Sequence, residues 1–211
     1  MKKLLLITIL LYSYVSNCQV DTIIRTDIYT SYYSFRLKNP VMVVYNLHRG
    51  GGDCSRADFH FRKDSILGKR MATPQDYAKS GYDEGHLANA EDFAFNCVYD
   101  KETFHFWNCS PQTPQLNRGI WKVLEDRVRK ISETDSILIL CGSIFDTQTI
   151  GSGVYVPTQC WKVVYSYTEK KVILSNIFTN TTSPVMSDID YNILAETLKT
   201  KYNIVIMDFL K

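Results

Sequence analysis

The pattern of apolar and polar positions divides the chain into strand-like and helix-like zones. The segments DIYTSYYSFRL and PVMVVYNL are dense in β-branched and aromatic residues and are parted by KNP, which predicts two strands joined by a turn. HRGGGDCS that follows is expected to be a loop, because three successive glycines lose too much backbone entropy to sit in a regular element. SILIL, VYVP, WKVVYSY and KVILSNIF predict further strands. From Asn117 onward, Ile120, Trp121, Leu124, Val128 and Ile131 recur at helical spacing and form one apolar stripe. Ile189, Ile193, Leu194 and Leu198 repeat the pattern, with Ser187 and Asp190 placed as a capping box and Asn203 as a stop. IVIMDFL reads as a closing strand. Strands and helices mixed without βαβ alternation predict an α+β domain with a mixed or antiparallel central sheet and flanking helices.

Composition adds a boundary. With 45% hydrophobic and 22% charged residues, the chain can bury an ordinary core, and no repeat, low-complexity tract or linker marks a second domain. The first residues, MKKLLLITILLYSYVSNCQV, open with two lysines, run apolar from Leu4 to about Leu11 and end in small or polar residues, the order of an export signal and too short to span a bilayer securely. A buried first strand or helix is the alternative. Residues 1–18 are thus expected to be a signal and 19–211 a single domain without a transmembrane segment, either secreted, periplasmic or lipid-anchored at the cell envelope. Cleavage after Cys18 leaves Gln19 first; cleavage before it presents the thiol for lipid attachment, although Asn17 suits that site poorly. Export places Cys54, Cys97, Cys109, Cys141 and Cys160 where disulfides form. Five is odd, so one thiol is expected to stay free or pair outside the chain. Cys97 with Cys109 is one option, and Cys54 and the pair Cys141/Cys160 compete.

Export also changes the charge. The chain has 24 Lys and Arg against 22 Asp and Glu, and losing Lys2 and Lys3 leaves 22 of each. A neutral domain cannot hold a polyanion by its overall field. Contact with nucleic acid would need a local patch, and Arg49, Arg56, Arg62, Lys63, Lys69, Arg70 and Lys79 face only four aspartates in the same stretch. A solvated mixed surface explains that count equally well.

Candidate chemistry lies in two stretches. SGYDEGHLANAEDF sets His86 after a glycine among carboxylates, and FWNCSPQTPQLNRGIWKVLEDRVRK carries a Pro-rich polar loop to Asn117 at the start of the patterned helix. Alone, His86 reads as a bonded structural histidine and Asn117 as a helix cap. His48, His60 and His105 stand singly, without metal-ligand spacing, and the aromatics of FHFWN read as core. A cysteine nucleophile working with His86 would need a free thiol and an orienting third group.

Together the two stretches resemble the DNA/RNA non-specific endonucleases, the ββα-metal nucleases, whose motifs are Asp-Arg-Gly-His and, downstream, Asn-x-x-Pro-Gln and Leu-Asn-x-Gly-x-Trp. Here they stand as DEGH at 83–86, NCSPQ at 108–112, LNRGIW at 116–121 and LEDRVR at 124–129. YYSFRLKNPVMVVYNL, CSRADFHF, CGSIFD and GVYVPTQCWKVV extend the likeness over most of the domain.

The resemblance implies a ββα-metal site that hydrolyses DNA and RNA without sequence preference, through backbone contacts. Phosphodiester hydrolysis needs a base for water and a cation for the charge gathering on the phosphoryl oxygens. His86 falls on the base and Asn117 on the direct ligand of Mg²⁺ or Mn²⁺, a hard cation suited to an amide oxygen and retained waters. Glu125 falls on a residue acting through metal-bound water; it lies about 12 Å along a helix from Asn117, and its ordinary role would be pairing with Arg129. Arg56 matches a phosphate-clamping arginine, with a longer spacing to the following aspartate, and Asn108 a supporting asparagine at the substrate.

One position departs. Glu84 stands where the resemblance implies arginine. At about 5 Å and an effective dielectric near 20 a unit charge is worth roughly 3 kcal/mol, so reversing its sign would slow the reaction by several powers of ten. Three resolutions follow: Glu84 pairs with Lys79 or Arg56; Arg118 supplies the missing cation at the substrate; or catalysis is impaired and the chain binds nucleic acid or a protein partner at the cell surface. A structural β-rich lipoprotein is a third class of reading.

Overall fold

The structure is a computed structural model describing residues 20–62, 64 and 67–210. The segment expected to be an export signal, with Cys18, lies outside the described residues. In chain order the regular elements are β1 (Thr22–Arg25), β2 (Thr30–Ser34), β3 (Asn39–Leu47), a single turn α1 (Pro74–Tyr77), β4 (Asp83–His86), α2 (Cys97–Glu102), β5 (Cys109–Gln112), α3 (Lys122–Ser132), β6 (Ile137–Ile150), β7 (Val154–Ser166), β8 (Lys171–Thr179), β9 (Met186–Asp188) and α4 (Tyr191–Tyr202).

Seven strands form one antiparallel sheet in the order β1-β2-β3-β6-β7-β8-β9, and β4 and β5 form a separate two-stranded ribbon. The central strands are buried on both faces, which is why they read as unbroken apolar runs rather than as alternation. Along β3, Val43, Tyr45 and Leu47 enter one core while Met42 and Val44 enter the other. One core packs the sheet against the β4-β5 ribbon and α3 through Trp121, Leu124 and Val128; the other packs it against α4 through Leu194 and Leu198. The α+β architecture with flanking helices is as expected, and its sheet is antiparallel throughout.

Several boundaries differ from the sequence expectation. VYVP and WKVVYSY belong to one strand, β7, whose register against β6 slips where Phe145 meets Pro157. The closing segment IVIMDFL is a 3-10 turn at Ile206–Leu210, not a strand; Ile204 and Ile206 are buried against the α4 core, and β9 already occupies the sheet edge. Helix α4 starts later than its apolar stripe suggested: Ser187 lies in β9, Asp190 alone accepts from the Asn192 and Ile193 amides, and Ile193 is exposed. Asn203 does end the helix, at φ 56°. None of the helices among the described residues is long and apolar enough to cross a membrane.

One disulfide is formed among the described residues, Cys54–Cys97, while Cys109, Cys141 and Cys160 are buried free thiols. The expectation of a single unpaired cysteine is corrected by geometry. Cys109 lies under Tyr77, whose hydroxyl is 3.3 Å away, and Cys141 and Cys160 bond to a carbonyl and to polar side chains instead of to each other.

Candidate active site

DEGH is β4, and it pairs with CSPQ of β5 in the register Asp83↔Gln112 and His86↔Cys109. The first part of the stretch read as a Pro-rich polar loop, Cys109–Gln112, is therefore a fully buried strand. Its polar side chains are consumed internally. Ser110 bonds Asn39 and Ser143, and Asn180 donates to the carbonyls of Pro111 and Pro157 while accepting from the Thr113 amide. Gly85 is required by packing, since a Cβ there would stand 2.3 Å from the Gln112 side-chain oxygen.

Asn117 does not cap a helix. Thr113 does so, accepting from the Leu116 amide, and Pro114 takes the first helical position. Residues Leu116–Trp121 then form a π-turn broken at Gly119 (φ −106°, ψ −114°) before α3 begins. Such bulges re-aim side chains and often lie at functional sites. The Asn117 amide nitrogen donates to Asp83 Oδ2 at 3.0 Å, leaving its oxygen as the atom able to meet a cation. Arg118 grips the same carboxylate through Nε and Nη2 at 2.8 and 2.6 Å. Burial acts to raise the Asp83 pKa, but the bonds from Arg118 and Asn117 outweigh it and hold the group below the usual carboxylate range.

These residues line an open cleft of about 460 Å³ together with Tyr77, Tyr82 and Glu84. A larger cleft, about 660 Å³, is walled by Val20, Tyr32, Tyr202 and Phe209 and includes none of the candidate site residues. Neither expected partner holds Glu84. It makes no hydrogen bond or ion pair with Lys79, Arg56 or any other described residue; Arg56 is bound by Glu91, and Arg118 is taken by Asp83. Burial first, then the neighbouring Asp83 charge, push its pKa up against a weaker opposing effect of His60.

His86 lies at the other end of β4, about 10 Å from Asp83 by strand rise, and is not a wall of the cleft. Its ring is half-buried between Phe61 and Phe104, with centroids 4.5 and 4.6 Å away. Nε2 is sealed from solvent without a hydrogen-bond partner. An orphaned imidazole nitrogen costs free energy, so it calls for an explanation that packing does not supply. Desolvation, with a contribution from the Arg56 cation, lowers the His86 pKa to about 3, so the ring is neutral at ordinary pH. The Arg56 guanidinium is bound by Glu91 and lies 3.7 Å from Asp100.

Asn108 was expected at the substrate, and burial corrects this. It is inaccessible, accepting from the Ala88 amide and donating to the carbonyls of Ala88 and Thr103, so it clamps the turn that leaves His86. Glu125 is likewise buried and does not pair with Arg129; its partner is Lys162, at 3.3 Å, with a further bond from Asn89. Lys162 lies almost wholly buried over the Trp121 ring at 4.4 Å. Sequence reasoning missed Lys162 because it is embedded in the strand run WKVVYSY; its alternation with Trp161 is the signal that puts it on the α3 face. Arg129 instead bonds Asp92, fastening α3 to the turn after β4.

Among the described residues no three His, Cys, Asp or Glu side chains gather as a metal cage. The donor set suits a hard cation that keeps most of its waters: one amide oxygen, Asn117 Oδ1, at the rim of an open polar cleft.

Comparison with known proteins identifies the family and a similar fold. The family model of the DNA/RNA non-specific endonucleases matches residues 10–203. Bovine mitochondrial endonuclease G is 33% identical over 154 residues, covering 64% of this chain and 51% of that protein, and its human counterpart is 32% identical with 64% and 52% covered. A nuclease of Nostoc sp. is 34% identical over 134 residues, covering 62% and 48%. The chain thus spans about half the length of these curated relatives. The solved structure of the EndoG/EndoGI complex is similar in fold, with a TM-score of 0.71 at 24% identity, covering 87% of this chain and 84% of that one.

Proposed function

Because the chain belongs to the DNA/RNA non-specific endonuclease family, we propose that it hydrolyses phosphodiester bonds of DNA and RNA, without sequence preference, at the site on β4 and the α3 approach. The observation that carries the reading is the arrangement of β4 itself. One end presents a neutral, unpartnered imidazole beside an arginine, and the other orients a carboxamide oxygen in an open cleft.

His86 is the general base, taking a proton from the attacking water. Its low pKa in the free protein rises when a phosphate offsets the Arg56 charge, which moves it toward the range where a base is effective. Arg56 contacts phosphate, and Arg118 adds a second contact through Nη1, the nitrogen not used on Asp83. Asn117 Oδ1 would hold Mg²⁺ or Mn²⁺, and Glu125, buried against Lys162, would act on that site only through intervening water. When bound, the ion neutralises charge developing on the phosphoryl oxygens. Asp83 orients Asn117, and Asn108 orients the backbone after His86. The Cys54–Cys97 disulfide supports an oxidising compartment, in keeping with an exported protein, secreted, periplasmic or lipid-anchored.

Glu84, an uncompensated carboxylate in the cleft, favours the second reading: a catalytically impaired member that binds nucleic acid or a protein partner at the cell surface. Digestion of plasmid DNA and of RNA, with Mg²⁺ and with chelator, separates the two. The nuclease reading expects metal-dependent degradation lost in His86→Ala, by about 10²–10⁴-fold in rate. Binding without degradation by the unaltered protein would instead establish the impaired member.

A further inference from the structure

Arg56 lies in a segment with no helix or strand, and its placement is set from outside that segment. Gly52, at φ 148°, runs so close to Ala94 that a Cβ there would meet the Ala94 carbonyl at 2.2 Å. Two residues on, Cys54 is bonded to Cys97, the first residue of α2. Asp100, one turn further along α2, is completely buried, and neither of its carboxylate oxygens has a hydrogen-bond partner. The cation that faces it is Arg56, whose Nε lies 3.7 Å from Oδ2. On the other side Arg56 Nη2 is bound by Glu91, which projects from the 3-10 turn Ala90–Phe93 just after β4. The two acids differ in one respect that matters: the Glu91 side chain is 32% exposed and that of Asp100 is 0% exposed.

We infer that the two carboxylates have opposite roles: Asp100 is a fixed anchor that positions Arg56 beside His86, and Glu91 is an internal stand-in for phosphate that the nucleic acid displaces. This rests on the reading of Arg56 as a phosphate contact. A carboxylate that stays buried when its cation leaves is an uncompensated charge out of reach of water, so Asp100 keeps Arg56. An exposed carboxylate regains its hydration when it lets go, and a phosphodiester offers the guanidinium two anionic oxygens in its place, so Glu91 exchanges. Until then two negative charges around one positive charge leave this corner repulsive to a polyanion. Glu91 thereby sets how much backbone charge a ligand must bring in order to enter, and Asp100, held through α2 and the Cys54–Cys97 bond, sets where Arg56 points.

The test uses the full chain carrying His86→Ala, so that binding is read without cleavage. A short fluorescein-labelled DNA duplex is titrated by fluorescence anisotropy at several salt concentrations. Glu91→Gln is expected to lower Kd by about three- to tenfold, and the gain should disappear when Arg56→Gln is combined with it. Asp100→Asn is expected to raise Kd by a similar factor, because a guanidinium without its anchor is spread over rotamers. Opposite signs from two neutralised acids are not what loss of background charge or of general stability produces. Should Asp100→Asn fail to fold, Glu91→Asp, which withdraws the carboxylate by one methylene, should still lower Kd and keep the stand-in role testable. Equal gains from Glu91→Gln and Asp100→Asn would overturn the division of roles. An unchanged Kd in Glu91→Gln, with Arg56→Gln weakening binding, would overturn the stand-in while sparing Arg56. An unchanged Kd in Arg56→Gln would overturn the inference together with the phosphate role of Arg56. Absence of cleavage by the unaltered protein bears only on the nuclease reading, since these measurements need no turnover.

Discussion

Asn117 donates its side-chain amide to Asp83 Oδ2 at 3.0 Å, tying a kinked helical approach to the first residue of the strand that ends in His86. A carboxamide has two chemically different ends, and fixing the nitrogen decides where the oxygen points. Asp83 therefore acts through Asn117. Asp83→Ala is expected to weaken apparent divalent-metal affinity by about 10–100-fold, and Asn117→Ala more. Cleavage rate against Mg²⁺ concentration gives one measure, and binding of Mn²⁺ followed by electron paramagnetic resonance gives one free of turnover. Equal affinity in Asp83→Ala and the unaltered protein would remove Asp83 from this role.

The His86 imidazole should titrate far below an ordinary histidine. Its pKa is lowered to about 3 by burial and then by Arg56, so the ring stays neutral until the pH falls toward that value. Proton NMR of the ring hydrogens over an acid titration checks this, and Arg56→Gln should move the midpoint upward by removing the opposing cation. A midpoint near the ordinary value of about 6.5 would mean the ring is solvated rather than enclosed by Phe61 and Phe104.

Glu84 shares the cleft with Asn117 and has no ion-pair partner among the described residues, with only a weak opposing effect of His60. Glu84→Arg is expected to raise kcat/KM by about ten- to a hundredfold, less than the unscreened Coulomb difference because the cleft is open to water. Glu84→Gln should fall between the two. Steady-state kinetics on DNA decides the matter, and a fall in rate for both variants would show that the carboxylate has been recruited.

Reduction of Cys54–Cys97, or its replacement by serines, opens a crosslink spanning 43 residues. The expected loss is about 2–4 kcal/mol of stability, read from denaturant midpoints with and without a thiol reductant. The three buried thiols, with Cys141 and Cys160 pushed up to about 12 and 11 by desolvation, should stay inert to alkylation until the chain unfolds.

How far the site could be read from the sequence depends on the range of the interaction involved. DEGH and LNRGIW marked the two segments that the fold makes into β4 and the π-turn, and the apolar stripe located α3. Asn108 was placed at the substrate by motif resemblance, and pairing with Arg129 was the ordinary alternative for Glu125 because it needs only a neighbour one helical turn away; the fold gave them Ala88 and Lys162 instead. CSPQ looked like a loop because a proline and polar residues disfavour a strand in isolation. Their bonds to Asn39, Ser143 and Asn180 come from distant segments.

The sequence by itself determined the α+β class, the main strands and the helix with its Trp121 stripe, and it singled out the motifs DEGH and LNRGIW. Those depend on periodicity and on motif order, which are properties of the chain read along its length. Tertiary structure alone decided which cysteines join, that Glu84 stands without a cation, that Asp83 aims Asn117, and that Asp100 and Glu91 share Arg56. Each of those is a matter of which charges and polar atoms lose water together, and desolvation is set by packing between residues far apart in the chain.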